Sequence, residues 1–143
     1  MNVRVWWVVV LVASFILTGC QKQVGPPHLK TTPVKGVVHI NGEPMAGVIV
    51  ECHEETQAAK PPPPRTIRTG ADGKFCLSTY DYCDGLPDGN YSLTFKWQKI
   101  QTGPKDLLNA EYADPKKSKF KVTIQDRQPI NLETIELTTK TKS

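Results

Sequence analysis

Period-two alternation is the feature that most constrains this chain. Tyr91, Leu93, Phe95 and Trp97 alternate with Ser92, Thr94 and Lys96, the pattern of a strand with one face in a core and the other in water. The alternation recurs in Val34, Gly36, Val38 and Ile40 against Lys35, Val37 and His39. It recurs again in Val48, Val50 and Cys52, and in Phe120, Val122 and Ile124. Ile130 to Leu137 reads as a last strand, and Ile67 to Ser78 as a hairpin around Ala71-Asp72-Gly73 with Phe75 and Leu77 inward. Asn41-Gly42 is a strong two-residue turn signal. Beyond the first nineteen residues no long stretch carries the 3.6-residue period of a helix; Leu107-Leu108 to Pro115 reads as a crossing segment with one helical turn. Short strands at regular spacing predict an all-β fold, a single sandwich.

The N-terminus is different in kind. Arg4 and the α-amino group precede an apolar run from Val5 to Ile16, interrupted only by Ser14. Twelve helical residues at about 1.5 Å each span roughly 18 Å, short of the roughly 30 Å hydrocarbon core of a bilayer. That length suits the apolar region of an export signal and not a transmembrane helix. The run ends in Leu17-Thr18-Gly19-Cys20. These first twenty residues resemble bacterial lipoprotein signals. The resemblance implies cleavage before Cys20, a thioether-linked diacylglyceryl group on its sulfur, palmitate-type acylation and a membrane partner reached through those chains. Two or more acyl chains anchor stably where one is marginal. Gln21, rather than Asp, after the cysteine implies passage to the outer membrane of the cell envelope.

Removing residues 1–19 from 143 leaves 124, enough for one domain with its own core and too few for two. The expected organisation is a signal at 1–19, an acylated cysteine and proline-containing flexible tether at 20–33, the sandwich at 34–137, and a polar tail at 138–143. Formal charge falls from +4 to +3 when Arg4 leaves. Lysines and acids are interspersed, apart from Lys116, Lys117 and Lys119. Such a surface is solvating, and an exported chain of this charge predicts no nucleic-acid partner. Pro61 to Pro64 cannot donate to a ladder, so residues 55–65 form a surface loop.

Three cysteines remain besides Cys20. Cys52 shares the apolar face of Val48 and Val50, as a small buried hydrophobe does. Cys76 faces away from Phe75 and Leu77, and Cys83 follows in a loop. In an oxidising compartment this alternation favours a Cys76–Cys83 disulfide with Cys52 left over. The alternative is a zinc site from Cys52, His53, Cys76 and Cys83, whose spacings match no paired CxxC pattern.

Val34-x-Gly36-x-Val38, Asn41-Gly42-x-Pro44-x-Ala46-Gly47-Val48-x-Val50, Thr69-x-x-Asp72-Gly73-x-Phe75 and Asp88-Gly89-x-Tyr91 together resemble carboxypeptidase-regulatory-like domains, which belong with the transthyretin-like or prealbumin-like sandwiches and imply seven strands. The resemblance spans residues 34–137 and is closest to small bacterial lipoproteins built from one such domain. It implies fold more than activity. Transthyretin-like enzymes that hydrolyse hydroxyisourate end in Tyr-Arg-Gly-Ser; this chain ends Lys140-Thr141-Lys142-Ser143, so that activity does not carry over.

No other pattern carries chemistry strongly. His28 falls in the tether, and His39 and His53 on outward strand faces. Ser78 and Ser92 lack a nucleophile signature. Asp81, Asp84, Asp88 and Asn90 make an oxygen-rich loop that could offer calcium several ligands but matches no EF-hand spacing. Trp97, Tyr80, Tyr82 and Tyr112 are candidates for an aromatic platform, with Trp97 on the core face and Tyr80 and Tyr82 freer to meet a ligand. The expected protein is therefore a non-catalytic envelope lipoprotein without a cofactor or bound metal, a structural or accessory module. The rival reading is a binding protein for a polysaccharide or protein ligand through loops 55–65 and 79–90.

Overall fold

A computed structural model describes residues 28–55, 66–98, 103 and 105–140. The export signal, Cys20, and residues 56–65 of the proline loop lie outside the described residues. Eleven strand segments occur among those described: β1 Thr31–Thr32, β2 Val34–Ile40, β3 Glu43–Pro44, β4 Ile49–Glu54, β5 Ile67–Arg68, β6 Lys74–Cys76, β7 Leu86–Pro87, β8 Gly89–Lys96, β9 Lys121–Ile124, β10 Ile130–Asn131 and β11 Ile135–Leu137. The fold is all-β and sandwich-like, with its strands broken into more segments than the seven expected.

One sheet is built around β2. Its first edge takes β6 and then β3, both antiparallel, and its other edge takes β10 and then β11, both parallel. The second sheet has the order β5-β4-β8-β9, all antiparallel. The inward faces meet as the alternation requires. Val34, Val38, Ile40, Phe75, Leu77, Ile135 and Leu137 from the first sheet are buried with Val50, Cys52, Tyr91, Leu93, Phe95, Val122 and Ile124 from the second. Burying such side chains stabilises by about 1.5–3 kcal/mol each relative to exposure.

Local sequence explains the turns. Asn41 and Gly42 have φ of 54° and 86°, the paired left-handed residues of a type I′ turn, and they fold β3 back on β2 with Ile40 opposite Glu43. The chain then crosses to the other sheet at a junction held by Thr69. Its hydroxyl accepts from Val48 N–H at 3.0 Å and donates to Met45 O at 2.6 Å, while Gly47 N–H donates to Thr69 O.

Three expectations are corrected. Ile67 to Ser78 is a corner and not a hairpin, because β5 pairs with β4 while β6 pairs with β2 in the other sheet. Gly73 makes this possible: at φ 72° it lets its carbonyl accept from Val38 N–H at 2.9 Å. Ile130 to Leu137 is interrupted, since its register against β2 steps from 96 to 97 residues between Ile130 and Ile135, the signature of one inserted residue. Lastly, β8 is not half-buried. Ser92 and Thr94 on its outer face are 3% and 0% exposed, because these short side chains lie between Glu51 and His53 of β4 and Lys121 of β9.

The ordered domain is also longer than 34–137. β1 pairs with β7, placing Thr32 in the interior, and Thr139 bridges to Leu108. The crossing segment contains the expected single turn, a 3-10 helix at Ala110–Ala113. No helix among the described residues is long and apolar enough to cross a membrane.

Substitution should separate two glycine roles. At Gly42 a Cβ meets nothing within 4 Å, whereas at Gly73 it meets the Val38 carbonyl at 2.5 Å. Gly42→Ala should cost about 1–2 kcal/mol from the left-handed backbone alone, and Gly73→Ala clearly more, read as a shift in urea midpoint. Equal costs would contradict the backbone clash.

Candidate functional site

The loop from Leu77 to Gly85 is assembled by one carboxylate and one covalent bond. Asp84 Oδ1 accepts from Thr79 N–H at 2.7 Å, and Oδ2 accepts from Tyr80 and Asp81 N–H at 2.9 and 3.1 Å. Ser78 Oγ accepts from Cys83 N–H, and Thr79 Oγ1 donates to Gly85 O. Partial burial pushes the Asp84 carboxyl up, but the N–H groups of Thr79, Tyr80, Asp81 and Asp84 itself outweigh it and hold it below the usual aspartate range. This carboxylate therefore caps the turn. Asp88 lies 4.0 Å from Arg127. Among the described residues no group of three or more His, Cys, Asp or Glu side chains is placed to hold a metal ion.

Cys76 and Cys83 are joined as a disulfide with Cα atoms 5.2 Å apart, closing the loop across seven residues. Cα separations of this size suit a disulfide, and the closed loop contributes about 2.5 kcal/mol on the chain-entropy estimate. Cys52 is the buried free thiol, and desolvation first, then nearby Glu54, pushes its pKa up to about 12. A thiol so protonated is chemically inert at neutral pH. The zinc set thus divides into a bridge, a core thiol and a histidine, His53, in contact with Thr94.

Beside the bridge lies a groove of about 750 Å³. Val37, Ile67, Phe75 and Leu132 supply apolar lining, Tyr82 and the disulfide form a wall, and Lys35, Arg68 and Lys74 bring positive charge. Lys74 pairs with Asp72 at 2.7 Å in full solvent, a contact that raises the lysine pKa and lowers that of the aspartate. Arg68 donates to Gly47 O at 3.3 Å.

The aromatic candidates do not act alike. Tyr82 is 88% exposed. Tyr80 is engaged within the fold: its ring stacks on His28 with centroids 4.2 Å apart, and its hydroxyl accepts from Leu29 N–H at 3.0 Å. Tyr112 packs toward Phe120, and the Trp97 backbone N–H donates to Asp106 Oδ1. His39 contacts Glu136 at 2.9 Å across β2 and β11, and His53 Nε2 lies 2.9 Å from Thr94 Oγ1. Both histidines make cross-strand contacts. Local pattern singled out Cys76 by its strand face, and Cys83 and Tyr82 by their place in the loop that follows. It missed His28 and Leu29, because contact with a loop fifty residues away leaves no local pattern.

No family model and no curated protein matches this sequence.

The Asp84 contribution has a definite pH sign. Its folded pKa is lowered, so its stabilisation is complete above the unfolded aspartate value of about 3.9 and disappears as pH falls through the lower folded value. Asp84→Asn should lose about 1–2 kcal/mol at neutral pH, with amides of Thr79, Tyr80 and Asp81 exchanging faster. The difference from wild type should vanish in acid; a pH-independent difference would contradict the charge-based role.

Proposed function

We propose that this protein is a lipid-anchored lipoprotein of the cell envelope, carried through acyl chains on Cys20 and bound for the outer membrane. The observation that carries the reading is Cys20 itself, closing Leu17-Thr18-Gly19 directly after a twelve-residue apolar run. The oxidising compartment it implies is consistent with the Cys76–Cys83 pair. The sandwich acts as a non-catalytic structural or accessory module. Its finer fold family is carboxypeptidase-regulatory-like, which the Asn41-Gly42 and Asp72-Gly73 turns support. Mass spectrometry of the mature chain should find a diacylglyceryl adduct on an N-terminal Cys20, and Cys20→Ser should abolish acylation and membrane partition. An unmodified N-terminus at another residue refutes the anchor.

A second reading, recognition of an envelope polysaccharide or protein, has one observation in its favour: the groove beside Tyr82. A glycan array should then give binding that falls at least tenfold in Tyr82→Ala, with Tyr80→Ala affecting stability as well because of its contacts with His28 and Leu29. Binding unchanged by Tyr82→Ala would remove that reading.

A further inference from the structure

The exposed large apolar side chains among the described residues are Leu29 and Tyr82, at 50% and 88% exposure. They occupy one corner. Leu29 is tied by its N–H to the Tyr80 hydroxyl, His28 stacks on the same ring, and Tyr82 follows two residues later in the same loop. The loop cannot turn Tyr82 inward, because the Asp84 carboxylate holds the N–H groups of Thr79, Tyr80 and Asp81 and the disulfide holds Cys83. Exposure of Tyr82 is imposed by the fold.

The same corner receives the chain from Cys20. Eight residue steps separate Cys20 from His28, a reach of at most about 28 Å. Lys30 follows Leu29 in the chain and Lys35 lines the groove beside Tyr82, both exposed, against the exposed carboxylates of Asp81 and Asp72. We infer that this corner rests on the bilayer that holds the acyl chains, with Leu29 and Tyr82 at the boundary of headgroups and hydrocarbon and the two lysines over anionic headgroups. The inference rests on acylation of Cys20. A tyrosine, apolar in its ring and polar at its tip, suits that boundary, and lysines are drawn to an anionic surface. Tethering makes the contact intramolecular, so an intrinsically weak surface affinity is enough to orient the domain. The Asn41-Gly42 end of β2 then points away from the membrane.

Contact quenching tests this. The mature lipoprotein is placed in vesicles of phosphatidylethanolamine and phosphatidylglycerol with brominated acyl chains. Leu29→Trp and Tyr82→Trp each add a tryptophan at the corner. Glu43→Trp adds one at the far end of β2, about 20 Å away, and the parent protein gives the Trp97 background. The three positions are on the surface, and the intact disulfide is checked by mass. Most of the added emission should be lost at 29 and 82 and none at 43. Equal quenching at all three positions, in protein shown to be acylated, overturns the corner while leaving the anchor standing. Absence of the acyl group on Cys20 overturns both. Unquenched Tyr82→Trp together with Tyr82-dependent glycan binding assigns the loop to a soluble ligand and also overturns the inference.

Discussion

Backbone hydrogen bonds along both edges of β2 hold the first sheet together. Val34 O, Val38 N–H and Val38 O face β6 and β3, while Pro33 O and Lys35 O face β10. The second strand of the chain is thereby clamped between strands some forty and a hundred residues later. No local segment supplies both partners, so the sheet forms only when the chain has closed on itself. Such non-local pairing makes folding slow relative to helical proteins of the same size. Gly36 shows how tight the arrangement is, since a Cβ there would meet the Phe75 ring at 2.7 Å.

The disulfide corner depends on that closure. Leu77 N–H donates to Val34 O, placing the loop beside the start of β2, and Gly85 N–H donates back to Leu77 O. Gly85, at φ 91°, lies so close under the Thr32 carbonyl that no side chain fits between them. Thr32 is drawn into the interior by this contact, and its hydroxyl is buried with no hydrogen-bond partner among the described residues. A buried unsatisfied hydroxyl is costly. Packing of the N-terminal segment across the loop therefore prevails over local polar satisfaction. The same packing brings His28 and Leu29 to Tyr80 and leaves Tyr82 outside.

Much of this was legible in the residues. Alternation placed Val34, Val38, Val50, Cys52, Phe75, Leu77, Leu93 and Phe95 inward, because period two is a property of the strand itself. It also put Cys76 on the opposite face from its neighbours, which singled out its partner. Asn41-Gly42 read as a two-residue turn because only residues tolerant of positive φ close one. The hairpin expected around Asp72-Gly73 failed for a reason alternation cannot express: a turn looks the same whether its flanking strands pair with each other or separate into two sheets. Asp84 was readable as an acidic loop residue, but its role as a cap depends on three N–H groups converging on it.

The amino-acid order alone determined strand faces, turn positions, the class of fold and the segment that reads as an export signal, since each is a short-range property of neighbouring side chains. Tertiary structure decided the rest. Which strands pair, why β8 is buried on both sides, where residues 28–33 lie and which tyrosine faces solvent all follow from contacts between distant parts of the chain. Those contacts exist only once the two sheets enclose a common core.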